Sequence, residues 1–167
     1  MKMKKRIYSV LVENRSGVIC KVAGLFSRRC FNIDSLAVGE TFDANVSCMT
    51  IVSSGDERTI EQIEKQLNKK LDVIKVKTFE EQQCITRELM LIKIRYNKNN
   101  RREIMELCEI MKVDIVDMSK HFMMLQICDT PERVKLLINM LQSVSIVEVA
   151  RTGTLALAKC AENDEGK

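Results

Sequence analysis

Tryptophan is absent from this chain, proline and histidine occur once each, and aromatic residues make up only 4% of it. The core must therefore be aliphatic, with ten methionines available to fill irregular gaps. A single His121 supports no Ser–His or Cys–His constellation. G-x-G-x-x-G and G-x-x-x-x-G-K-[ST] are both missing, so no nucleotide loop is signalled. No run approaches the roughly eighteen apolar residues of a membrane span. The basic start, Met1-Lys2-Met3-Lys4-Lys5-Arg6, leads into a short alternating run rather than the apolar region of a signal peptide. These features point to a soluble, cytoplasmic protein. The seven cysteines are odd in number and form no CxxC pair, which argues against a disulfide framework or a zinc site. Reduced, mostly buried thiols are expected. The net charge of +4 is weak evidence for a polyanionic partner, and Lys4, Lys5 and Arg6 read as flanking a strand end.

The pattern that is present occurs twice. Residues 6–12 alternate as a strand, and Val18, Val22, Leu25 and Phe26 then recur at helical spacing. Strand-like runs follow at 31–38 and 46–52, around a polar loop at 39–45. Ser54-Gly55-Asp56-Glu57 has capping-box spacing ahead of the stripe Ile60, Ile63, Leu67, and 71–78 closes the unit as a strand. After a polar linker at 80–85 the order repeats. A strand at 88–96 precedes a helix capped by Asn100, with the stripe Ile104, Leu107, Cys108 and Met111. Strands at 113–118 and 122–128 lead to a helix opened by Thr130-Pro131-Glu132, and a last strand spans 145–151. This predicts an α+β fold of two ferredoxin-like βαββαβ units, at residues 4–79 and 86–159, with a disordered tail at 160–167. The strands carry apolar residues on both alternating sets (Ile7 and Leu11 against Val10 and Val12), so each sheet expects cover on its second face.

The stretch "VENRSGVICKVAGLF" holds the best candidate site. A strand that delivers the chain into a helix N-terminus presents unpaired backbone N–H groups at the positive end of the helix dipole. That suits a carboxylate, and Gly17 permits close approach of a ligand. Asn14 supplies an amide that both donates and accepts, matching a zwitterion. Asn32 is expected just inside the second strand, beside the same helix. The alternative is plain: Asn14 or Ser16 caps the helix and Gly17 serves the turn.

The run "SVLVENRSGVICKVAGLFSRRCFNIDSLAVGET", with "SCMTIV", "IEKQLNKKLDVIKV", "RELMLIKI" and "IVEVARTGTLALAK", resembles the small, regulatory subunit of acetolactate synthase (acetohydroxyacid synthase) across residues 4–159. The resemblance implies that residues 4–79 form an ACT domain, with a C-terminal domain of similar plan. It implies no catalytic site on this chain. The chain would bind and activate a separate catalytic large subunit that holds thiamine diphosphate, Mg²⁺ and FAD. It would confer feedback inhibition by a branched-chain amino acid, usually valine, in branched-chain amino acid biosynthesis. The effector would sit between the ACT domains of a homodimer, with the family's binding residues falling on Asn14, Gly17 and Asn32. Ile33, Leu11 and Val18 are physical expectations for the apolar wall. The loop at 36–45 is expected to help contact the catalytic partner. Two positions depart from the family pattern: Cys30 stands where Gly is usual at the end of the first helix, and Cys48 where Arg is usual. An alternative is a free-standing ACT-domain amino-acid sensor. RNA binding is disfavoured because the strands lack the stacking aromatics it uses.

Overall fold

A computed structural model describes residues 4–160. The tail expectation from residue 161 onward lies outside the described residues. The first half runs β1 (Lys4–Glu13), α1 (Val18–Arg28), β2 (Ser35–Glu40), β3 (Val46–Gly55), α2 (Glu57–Leu67) and β4 (Val73–Phe79). The second runs β5 (Cys84–Arg95), α3 (Arg101–Met111), β6 (Asp114–Met118), β7 (Phe122–Asp129), α4 (Pro131–Met140) and β8 (Ser145–Arg151), followed by β9 (Leu155–Ala158). The sheets have the same antiparallel plan, β2-β3-β1-β4 and β6-β7-β5-β8, with β9 also paired to β5. Both halves are ferredoxin-like units of an α+β fold. The described residues divide into two compact units, residues 4–85 with 154–160, and Thr86–Gly153.

In the first unit Tyr8, Val10 and Val12 of β1 and Met49 and Ile51 of β3 face the helices. There they bury Val18, Val22, Leu25 and Phe26 of α1 with Ile63 and Leu67 of α2. The spacing of the α1 stripe puts four side chains on one face, each stabilising by about 1.5–3 kcal/mol when fully buried. The other sheet face is covered at one end from within the same unit: Ile7, Val52 and Phe79 pack with Cys84 and with Ala156 of β9. Lys4 and Arg6 are engaged by Glu57 and Glu80, so this basic cluster is tied to carboxylates.

The end of α1 resolves the question posed by Cys30. Cys30 has φ 55°, in the left-handed region that glycine favours. Its N–H donates to Ser27 O at 3.1 Å, and Phe31 N–H donates to Phe26 O at 3.0 Å. This pair of bonds is the Schellman closure, and the Phe26 and Phe31 rings meet edge to face at 6.2 Å across it. Cys30→Gly is expected to stabilise the first unit by about 1 kcal/mol, read as a raised urea midpoint at unchanged slope.

Three expectations need correction. The second strand starts at Ser35, not Phe31, because residues 29–33 complete the helix cap and connection. The cap of α2 is Asp56, whose carboxylate accepts from Thr59 N–H at 2.8 Å; Ser54 donates to Asp34 instead, since β3 runs on through Gly55. The thiols are not mostly buried: Cys84 and Cys108 are, but Cys20, Cys30, Cys128 and Cys160 are exposed, two of them on the outer face and end of α1.

Tyr8 carries a pH-dependent contribution. It is fully buried and donates to Ile60 O at 3.3 Å. Burial first, then the Glu64 carboxylate, push its pKa up to about 12, against a smaller opposing effect of Arg6. The folded phenol holds its proton longer than the unfolded one. Its contribution is therefore complete below about pH 10 and is lost as pH rises through about 12, by up to about 3 kcal/mol. Urea unfolding across this range is expected to show that loss in the parent and to lack it in Tyr8→Phe.

In the second unit Met90, Ile92 and Ile94 of β5 and Met123, Leu125 and Ile127 of β7 pack on Ile104, Cys108 and Met111 of α3 and Val134 and Leu137 of α4. Thr130 caps α4, accepting from Arg133 N–H, with Pro131 in the first turn as its sequence demands.

Candidate functional site

The turn between β1 and α1 is built around Gly17, whose φ of 84° and ψ of −8° match the third position of a type II turn. Val18 N–H donates to Arg15 O at 3.3 Å across that turn, and Lys21 N–H to Gly17 O begins the helical ladder. No side chain caps the helix. Neither Asn14 nor Ser16 therefore fills the role of a simple N-cap, and the amides of Gly17, Ile19 and Cys20 remain open beside the exposed glycine.

Asn14 is instead locked in the opposite direction. Its backbone N–H donates to Asn45 O at 2.7 Å, and its Nδ2 donates to Ala44 O at 2.8 Å and Glu40 Oε1 at 3.1 Å. Both amide hydrogens are thereby used, which leaves Oδ1 as the available acceptor. A second brace comes from the connection after α2. Glu13 N–H donates to Asp72 O at 3.0 Å, and Lys21 Nζ reaches both Asp72 oxygens at 2.9 and 3.0 Å. The turn is held from both sides and presents backbone N–H donors, one amide oxygen and open space.

The remaining candidates are dispersed. Asn32 lies before β2, exposed, with Nδ2 donating to Asp34 and its carbonyl accepting from Ser53 Oγ at 2.6 Å. Strand register sets its distance from the turn. Ser35 pairs with Val52, which pairs with Ile7, whereas Glu40 pairs with Ser47, which pairs with Val12. Asn32 and Asn14 therefore stand at opposite ends of the sheet, separated by about eight residues of strand or roughly 25 Å. Ile33 shares the Asn32 end and packs, half-buried, on the first-unit core. Val18 is 2% exposed inside that core. Leu11 is half-buried on the sheet face away from the helices, opposite Cys48. Within one chain, only Asn14, Gly17 and the backbone of Val18 come together.

The arrangement can bind but holds no constellation of nucleophile and base. Among the described residues no group of three or more His, Cys, Asp or Glu is placed to hold a metal ion. No described helix is long and apolar enough to cross a membrane. On the face away from the helices, β1 and β3 offer Ile7, Ser9 and Leu11 against Val52, Thr50 and Cys48, with no aromatic platform for bases.

A family profile described as an AHAS small subunit-like ACT domain matches residues 8–75, and one described as the small subunit of acetolactate synthase matches residues 87–160. The acetolactate synthase small subunit of Mycolicibacterium smegmatis is 42% identical over 151 residues, 90% of this chain and 89% of its own. That of Haemophilus influenzae is 41% identical over 160 residues, 95% and 98% of the two chains. The isozyme 3 small subunit of Escherichia coli is 40% identical over 156 residues, 93% and 96%. The crystal structure of the small subunit from Thermotoga maritima superposes with a TM-score of 0.88 at 38% identity, covering 95% of this chain and 99% of that one. The turn at residues 14–17 lies inside the matched ACT region, and with relatives this similar over nearly its whole length the chain belongs to the acetolactate synthase small-subunit family.

Proposed function

We propose that this chain is the cytoplasmic, non-catalytic regulatory subunit of acetolactate synthase. It binds and activates the catalytic large subunit and makes it sensitive to valine or a related branched-chain amino acid, in branched-chain amino acid biosynthesis. Thiamine diphosphate, Mg²⁺ and FAD belong to the catalytic partner. The ligand's carboxylate is received by the open amides of Gly17 and of Ile19 and Cys20 in the first turn of α1, and its ammonium by Asn14 Oδ1.

One observation carries the reading: Asn14 with Gly17, and Asn32, occupy opposite ends of the same sheet. A ligand held by both sets needs two chains. β2 is an edge strand, with Val38, Gly39 and Glu40 exposed. Two copies related by a two-fold axis and pairing β2 antiparallel to β2 bring the Ser35 end of one beside the Glu40 end of the other. Asn32 and Ile33 of one protomer then approach the turn of its partner, and the homodimer forms through its ACT domains. Glu40, bonded to Asn14, lies on this edge and links the turn to dimer geometry. Each ligand ties one protomer to the other, and activity responds through the difference in affinity between two dimer arrangements, typically worth about 1–3 kcal/mol of coupling. Phe42, fully exposed on the loop at 41–45 that accepts from Asn14, offers an apolar contact for the catalytic subunit.

The test is reconstitution with an acetolactate synthase catalytic subunit, with and without valine, leucine and isoleucine. Faster turnover on adding this chain and slower turnover on adding one of the amino acids supports the assignment. Amino-acid binding without any effect on the catalytic subunit would identify a free-standing sensor instead.

A further inference from the structure

The second unit has its own groove at the position that corresponds, strand for strand, to the Gly17 turn: the connection from β5 to α3. It encloses about 570 Å³. Its lining includes Arg95, Asn97, Asn100, His121, Phe122 and Ser145, and no lining residue is acidic.

Its one charged lining group and its free amide ends are donors. The Arg95 guanidinium sits 5.2 Å from the centre of the Phe122 ring, and Lys93 Nζ is 5.4 Å from the same ring. Neither cation pairs with a carboxylate among the described residues. The amide oxygens are already engaged. Asn97 Oδ1 accepts from Asn99 N–H at 2.8 Å and Asn100 N–H at 3.1 Å, and Asn100 Oδ1 accepts from Asn97 N–H at 2.8 Å. The NH₂ ends of both asparagines are left as donors. A planar guanidinium braced by an aromatic ring, with amide donors beside it, matches an oxoanion in charge and geometry. The volume exceeds what a bare ion fills and lies in the range of small-molecule pockets, with Phe122 as the surface for an organic body.

We infer that this groove binds a small oxoanionic metabolite, its phosphate or carboxylate group held by Arg95 with the amides of Asn97 and Asn100. The site is separate from the Gly17 turn.

The experiment titrates the ¹⁵N-labelled full-length protein with sodium phosphate, sodium acetate and sodium chloride at constant ionic strength. It follows the side-chain N–H signals of Arg95, Asn97 and Asn100. Saturable shifts with phosphate, acetate or both, and none with chloride, are expected. Saturation by phosphate alone assigns a phosphoryl group, and by acetate alone a carboxylate. Arg95→Gln, an exposed position, is expected to weaken binding at least about 10-fold at unchanged melting temperature, since bonds to a charged partner are the stronger class. Gly17→Asp is expected to leave binding unchanged. Equal shifts with all three salts, or undiminished affinity in Arg95→Gln, would overturn the assignment.

Discussion

Gly17→Asp is expected to abolish inhibition by branched-chain amino acids while leaving activation of the catalytic subunit in place. Two physical effects act together. A Cβ at Gly17 meets nothing within 4 Å, so the substitution introduces no clash, but the backbone φ of 84° costs any L-residue about 1–2 kcal/mol. The larger effect is chemical. The aspartate places a negative charge at the open N-terminus of α1, where it takes the amides for itself and repels an incoming carboxylate. Asn14→Ala removes the acceptor for the ammonium and both side-chain bonds, to Glu40 and to Ala44 O, so the same loss of response is expected. The assay is acetolactate formation by the reconstituted pair, with valine titrated against each variant. Full valine sensitivity in both variants would refute the pocket; loss of activation along with inhibition would show instead that the turn serves the docking of the subunits.

Arg151→Met is expected to destabilise the second unit by about 3 kcal/mol. Glu88 is 3% exposed, and its two oxygens receive Arg151 Nε at 2.7 Å and Nη2 at 2.9 Å. Those hydrogen bonds are the main reason the guanidinium pKa is raised. Deleting the arginine leaves a buried carboxylate without its partner, which is the costly way to break such a pair. Replacing both residues removes the stranded charge, so Glu88→Leu with Arg151→Met is expected to recover most of the loss. Hydrogen exchange of the β5 and β8 amides reports this unit by itself, which matters because a two-unit chain need not unfold in one step. A single variant as stable as the parent would mean that water already reaches Glu88.

Much of the fold was legible because its signals are local. The α1 stripe of Val18, Val22, Leu25 and Phe26 is a property of consecutive residues, and so is the start of α4 at Thr130-Pro131. Phe31 misled for the same reason. Followed by Asn32, Ile33 and Leu36 it mimics a strand, but its partner is Phe26 of the helix just ended. Ser54 misled because two residues competed for one cap, and Asp56 lies next to the helix while Ser54 is still in the ladder. At the candidate site, the glycine turn was visible in the sequence. The braces that aim Asn14 away from α1 were not, because Glu40, Ala44 and Asp72 are 26 or more residues distant.

The order of elements within each βαββαβ unit and the duplication of that unit followed from the sequence by itself, though β9 did not, since hydrophobic periodicity and turn chemistry act within a few residues. Only the tertiary structure decided that β9 returns to the first unit and places Ala156 against Ile7, Val52 and Phe79. Only strand register decided that Asn14 and Asn32 stand at opposite ends of one sheet. Both outcomes depend on pairing between residues far apart in the chain. That pairing is selected by which apolar faces must be buried together, and no local pattern carries it.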